Sequence, residues 1–163
     1  MRIAKDASIV ILTGAGISAE SGVRTFRDAG GLWEGHRVED VATPEGFARD
    51  AVLVHAFYNA RRRQLAEVAP NAAHAALAEL ERRWPGEVLL VTQNVDDLHE
   101  RAGSKHLIHL HGELLKARCG TCGTIRTWTE DLDAAPPCTA YRSKTMRPHI
   151  IWFGELPFEL PRI

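Results

Sequence analysis

Continuous apolar runs alternate along this chain with stretches whose apolar positions recur every three or four residues. Ser8–Thr13 (S-I-V-I-L-T) is β-branched and nearly unbroken, the pattern of a strand buried on both faces of a parallel sheet. It breaks at Gly14-Ala15-Gly16. Residues 23–42 hold no clean period, carry Gly30, Gly31 and Gly35, and predict a loop with at most short helical pieces. Thr43-Pro44 reads as a helix start, with Thr as the cap and Pro in the first turn. Asp50 caps a second helix through Leu65, in which Leu53, Phe57, Ala60 and Leu65 fall at helical spacing. Asn71 opens a third, with Ala73, Ala76, Leu77, Leu80 and Trp84 on one stripe, and Pro85-Gly86 ends it. Val88–Val91 is a second buried strand; a short helix follows and ends near Gly103; His106–Leu110 is a third strand. Residues 117–145 turn to Cys, Gly, Pro and Thr, with a short β piece at Thr124–Trp128, and a strand pattern returns at Arg147–Phe153.

Strands alternating with helices predict an α/β domain with a parallel, Rossmann-like sheet. Four sheet strands are legible where a complete dinucleotide fold has about six. Either the fold is unusually small or the sheet is truncated at the C-terminus.

Composition narrows the class. The 163 residues are 45% apolar, enough for one sizeable core. The net charge of −1, from 20 basic and 21 acidic residues, gives no overall field toward nucleic acid or a membrane surface. No run approaches the roughly 18 apolar residues of a membrane span. Met1–Asp6 leads straight into a strand pattern without the apolar stretch of a secretory leader. The cysteines are Cys119, Cys122 and Cys138. An odd count containing a C-x-x-C pair favours metal or redox chemistry over structural disulfides, and the expected compartment is the cytoplasm.

The first candidate chemistry is the glycine loop. Gly14-Ala15-Gly16-Ile17-Ser18-Ala19 matches G-x-G-x-x-A between a strand and a helix, where glycine lets the backbone approach a pyrophosphate. Alone the motif equally describes a tight strand-to-helix turn. Its usual companion is an acid ending a second strand about 20 residues on. Glu34 and Glu39 fall in that vicinity without a strand before them, which disfavours a hydride-transferring dehydrogenase. The longer run Gly14–Asp28 (G-A-G-I-S-A-E-S-G-V-R-T-F-R-D) resembles the cofactor loop of the sirtuins. So do Thr92–Asp96 (T-Q-N-V-D), His111–Glu113 (H-G-E) and Trp152–Glu155 (W-F-G-E), in the family's order and over nearly the whole chain. Arg24 stands where most of that family has proline, a departure shared by some bacterial members.

The resemblance implies a bacterial-type, class III NAD-dependent protein-lysine deacylase. Such an enzyme moves the acyl group of a protein lysine to ADP-ribose and releases nicotinamide. It implies that Gly14, Ala15, Gly16 and Ser18 hold the NAD phosphates. Phe26 and Arg27 would cover the nicotinamide ribose, and Gln93, Asn94 and Asp96 would line the nicotinamide and ribose pocket. His111 would be the general base drawing a proton from the ribose hydroxyls, with Gly112 leaving room for substrate. Trp152, Phe153, Gly154 and Glu155 would bind the substrate. It also implies a division into a dinucleotide-binding domain (1–34, 71–116 and 146–163, incomplete), a helical insert (35–70) and a small zinc-ribbon-like module (117–145). Read from residues alone, Asn94 and Asp96 also suit a helix cap and its first turn. Other readings use the same chain. His109, His111 and Glu113 form H-x-H-x-E, two histidines on one strand face, as in a metal-dependent hydrolase. With C-terminal strands missing, the chain also reads as an inactive fragment or an NAD- or ADP-ribose-binding module.

Tyr58 and Arg61, three apart on one helix, share a face and make a receptor for a carboxylate. Family members that remove succinyl, malonyl or glutaryl groups carry this pair. Alternatively Arg61-Arg62-Arg63 is a solvated helix face and Tyr58 is core. The family's structural zinc uses two C-x-x-C pairs. Here Cys119, Cys122 and Cys138 supply three ligands, Tyr141 stands where the fourth belongs, and Asp131, Asp133 or water are substitutes. Acylated protein lysines are the expected partners.

Overall fold

A computed structural model describes residues 4–24, 32–132, 137–140 and 146–158. Its elements run β1 (Ile9–Thr13), α1 (Gly16–Ala19), β2 (Leu32–Trp33), β3 (His36–Arg37), α2 (Val38–Val41), α3 (Pro44–Arg49) and α4 (Ala51–Glu67). They continue with α5 (Ala72–Arg83), β4 (Val88–Thr92), α6 (Leu98–Ala102), β5 (Leu107–His109), β6 (Gly112–Cys119), β7 (Ile125–Thr127) and β8 (Met146–Ile150).

Three helices begin where local chemistry dictates. The Thr43 hydroxyl accepts the Gly46 N–H at 2.9 Å, and Pro44 needs no donor partner there. The Asp50 carboxylate accepts the Leu53 N–H at 2.9 Å. Asn71 caps α5, and the His74 ring nitrogen accepts the Asn71 N–H in return.

β1, β4 and β5 form a parallel sheet in the order β1-β4-β5, with Ile9 opposite Val88 and Leu90 opposite Leu107. β6 lies between β7 and β8 in an antiparallel sheet, and β2 pairs with β3 in a hairpin. Arg147–Phe153 is therefore a strand at its start, but β8 joins β6 instead of extending the parallel sheet. β6 runs from Gly112 to Cys119, across position 116, and carries the chain from the end of the parallel sheet into the Cys-bearing segment. The expected burial of β1 on both faces also fails. Val10 is 65% and Leu12 64% exposed, because no described element packs on that side. On α5, Ala73 and Ala76 are exposed, and the inward side combines buried His74 with the partly buried Leu77, Ala78, Leu80 and Trp84.

The main core joins α4 to the antiparallel sheet: Val54, Phe57, Tyr58 and Leu65 meet Leu114, Ile150 and Trp152. Burial of each large apolar side chain here is worth about 1.5–3 kcal/mol, and Phe57→Ala would cost about 3–5 kcal/mol. The arginine run does not form a solvated face. Arg61 is half-buried, and Arg62 is buried with its Nε donating to the Leu114 carbonyl at 2.9 Å. Arg63 reaches outward to Asp131 at 2.6 Å. α4 thus ties three parts of the fold through three successive side chains.

Candidate active site

The carboxyl ends of β1 and β4 open onto a cleft of about 500 Å³, closed on the far side by α4 and the segment after β8. Ser18 is the buried hinge of its polar wall. Its hydroxyl donates to Asp96 at 2.9 Å and accepts from the Asn94 amide at 3.1 Å. The His74 ring stands 3.4 Å from the same oxygen. Asn71, the α5 cap, donates to the Ile17 carbonyl at 2.7 Å and to Ser21, which pins the glycine loop to the helix behind it. Asp96 also accepts the Leu98 N–H at 3.2 Å, so it orders the start of α6 while facing the cleft. Beneath it, buried His99 packs against buried His74; burial lowers both pKa values, so these imidazoles are neutral near pH 7.

Ala15, Ser18, Gln93, Asn94, Asp96 and His111 line this cleft together. On the opposite wall stand Tyr58, Trp152, Phe153, Gly154 and Glu155. Gly14, Gly16 and Arg61 are not among the lining residues. Phe26 and Arg27 lie outside the described residues. Sequence reading missed Arg24, Trp33, Ile150 and Ile151, which line it too; the first two sit in a stretch without periodicity.

Glu155 is held from beneath. Arg147 grips its carboxylate with two hydrogen bonds, 2.6 and 2.8 Å, and the Trp152 N–H adds a third at 2.9 Å. Burial alone would raise the Glu155 pKa, but these bonds hold it below the usual value. The carboxylate shapes the turn that carries Trp152 and leaves Phe153 58% exposed at the mouth. Gly112 has a structural reason unrelated to substrate room. Its φ is +84°, and an added Cβ would meet the His149 carbonyl oxygen at 2.1 Å, so only glycine lets β6 approach β8 here.

The H-x-H-x-E trio does not assemble. The chain turns between β5 and β6, which breaks the alternation that would put His109 and His111 on one face. His109 points away from the cleft, its Nδ1 on the Asn94 carbonyl at 2.9 Å and its Nε2 on Glu100 at 2.7 Å. A carbonyl only accepts, so Nδ1 carries a hydrogen. Burial opposes charge on this ring, but the Glu100 bond outweighs it and raises the pKa. The donors of Glu100, His109 and Glu113 lie within 4.8 Å of one another, beside a second cavity, without His111.

The thiols of Cys119, Cys122 and Cys138 also lie within 4.8 Å of one another and form no disulfide. Zinc–sulfur bonds of about 2.3 Å in a tetrahedron put sulfurs about 3.8 Å apart; Cys122 and Cys138 are separated by 3.6 Å. Cys119 and Cys138 pack with Ala117, Leu132 and Met146 in a small second core. The donor set fits a zinc ion. Asp131 does not supply a fourth ligand: it pairs with Arg63 and is outside the cluster. Asp133 and Tyr141 lie outside the described residues.

This is the cleft of an α/β sheet fitted to a ligand at its strand ends. Residues 14–161 match the Sir2 family. A protein of Pasteurella multocida (strain Pm70) described as an NAD-dependent protein deacylase is 59% identical over 98% of this chain and 69% of its own length. The protein so described from Escherichia coli (strain K12) is 59% identical over 95% of the chain and 57% of its own length. Among solved structures, a Sir2 homologue–ADP-ribose complex superposes with a TM-score of 0.85 at 43% identity, and a Sir2 homologue–NAD complex with 0.83 at 45%. Each covers 95% of this chain, which spans 63% and 61% of theirs. The chain belongs to the Sir2 family. It spans 57–69% of the length of these relatives. Among the described residues no helix is long and apolar enough to cross a membrane.

Proposed function

We propose that the protein is an NAD-dependent protein-lysine deacylase, acting on acetyl-lysine and on succinyl- and malonyl-lysine, with His111 as the general base. The observation that carries this is the meeting of His111 with Ser18, Asn94 and Asp96 on one cleft. NAD fits as the co-substrate: a side chain on Gly16 would meet nothing within 4 Å, leaving open space beside the loop. NAD would supply an electrophilic ribose carbon, with nicotinamide as the leaving group. Gly14, Ala15, Gly16 and Ser18 would hold its phosphates, with Phe26 and Arg27 over the ribose. Asn94 and Asp96, already fixed through Ser18, would orient the nicotinamide side together with Gln93. His111 would accept the hydroxyl proton as the acyl group migrates. Trp152 and Phe153 would flank the acyl-lysine, with Gly154 and Glu155 forming the turn beneath.

Tyr58 and Arg61 would select acyl chains that end in a carboxylate. A zinc ion on Cys119, Cys122 and Cys138 would be structural, since those thiols belong to the small second core. The compartment we assign is the cytoplasm, in keeping with three unbridged thiols.

The test is nicotinamide release from NAD in the presence of an acetyl-lysine peptide. Peptide-dependent release is expected. Its absence both here and in the form matching the relatives' full length would sink the reading.

A further inference from the structure

Glu34 occupies a turn position that suits other residues better. Trp33 pairs with His36 across a two-residue hairpin loop, and both loop residues have positive φ, +51° at Glu34 and +80° at Gly35. That geometry favours Asn-Gly or Asp-Gly, because a longer side chain gains nothing there and adds backbone strain. Glu34 is the single non-glycine residue at positive φ among the described residues. Strain at one position points toward what the side chain does.

The side chain turns inward, 12% exposed, toward two arginines. Its Oε2 stands 3.3 Å from Arg24 and 3.7 Å from Arg61. The second distance is long for a hydrogen bond, and Arg61 Nε and Nη1 are buried with no hydrogen-bond partner among the described residues. The guanidinium lies 4.5 Å over the Phe57 ring. Burial lowers the Arg61 pKa, and the negative charge of Glu34 does most to oppose that. Trp33, Arg24 and Tyr58 line the cleft while Arg61 does not. An internal carboxylate is therefore seated on the guanidinium at the edge of the cleft, and it leaves most of the fork unsatisfied.

We propose that Glu34 is a built-in competitor for Arg61, displaced by the terminal carboxylate of a succinyl- or malonyl-lysine, and that this exchange sets the preference among acyl groups. The inference rests on Arg61 being the carboxylate receptor. A loose ion pair contributes little, whereas an incoming carboxylate in bidentate contact satisfies donors that Glu34 leaves empty. The displaced Glu34 keeps a partner, because the Arg24 side chain is 65% exposed and can follow it outward. This gives a role to the arginine that replaces the family's commoner proline. An acetyl group has no carboxylate and leaves the Glu34–Arg61 pair in place.

The test compares binding of a succinyl-lysine and an acetyl-lysine peptide of one sequence to the wild type, Glu34→Gln, Glu34→Asn and Arg61→Met. Both Glu34 variants are expected to shift the affinity ratio toward succinyl by roughly three- to fivefold. Glu34→Asn is also expected to melt higher than wild type, because Asn accepts positive φ, so one variant stays folded in any case. An unchanged ratio in that variant, with Arg61→Met still weakening succinyl binding selectively, overturns the competitor and leaves the receptor standing. Equal binding of both peptides by Arg61→Met and wild type, or no binding of either peptide, overturns both.

Discussion

The indole N–H of Trp152 donates to the Tyr58 hydroxyl at 3.0 Å, inside the core, joining α4 to the segment that follows β8. Burial pushes the phenol's pKa above its ordinary value, so the hydroxyl stays protonated. It accepts from Trp152 and keeps its own hydrogen for the cleft that Tyr58 lines. Tyr58→Phe should strand the buried indole N–H and destabilise the fold by about 1–3 kcal/mol. Urea unfolding followed by tryptophan fluorescence checks this; an unchanged midpoint would mean that the bond contributes nothing to stability.

Arg61→Met should lower desuccinylation by at least roughly tenfold relative to deacetylation, as expected for losing a charge-assisted partner of a carboxylate. Steady-state rates on matched succinyl and acetyl peptides measure it. Equal losses on both substrates would make Arg61 a structural residue.

The thiol cluster should hold one zinc per chain by elemental analysis, and Cys138→Ser should release it. Chelation is expected to lower the melting temperature by several degrees without a catalytic effect of its own, since the cysteines belong to the small second core and do not line the cleft that holds His111. Zinc-free protein that melts like the untreated sample would show that packing around Leu132 and Met146 suffices.

How much of this was legible depended on whether the determining contacts were local. Thr43, Asp50 and Asn71 announced their helices because a cap bonds within three residues of itself. β1 announced itself by a nearly unbroken β-branched run, and β4 and β5 by short apolar runs. The pairing of β6 with β8 was hidden: it joins residues about 30 apart and contains a register shift between Glu113 and Ala117. The exposure of Val10 and Leu12 was equally invisible, because an apolar run states a preference and not the presence of a cover. In the site, motif residues such as Ser18, Asn94 and His111 were found directly. Trp33 and Arg24, which also line the cleft, were not assigned to it, since an aperiodic loop gives no face to read. The three arginines after Ala60 looked alike in sequence and were separated only by what faces each turn of α4.

Acid should weaken the protein partly through His149. Burial pushes its pKa down from 6.5 to about 4, with Glu113 partly opposing. In that interval the unfolded chain binds a proton that the folded chain refuses, so stability falls as pH drops from about 6.5 toward 4, by at most ~3 kcal/mol from this group. His74 and His99 shift in the same direction. His149→Gln should therefore reduce the acid slope of the melting temperature without abolishing it; an identical slope would show that His149 charges freely in the fold.

The proposed mechanism has the His111 imidazole take a proton in the cleft that Ser18, Asn94 and Asp96 also line. The direct measurement is the rate of acyl-ADP-ribose formation from NAD and an acetyl-lysine peptide by wild type and His111→Asn. A loss of about 10²–10⁴-fold is expected for removal of a general base, with peptide affinity within a few fold of wild type. A variant that turns over within threefold of wild type would contradict the assignment.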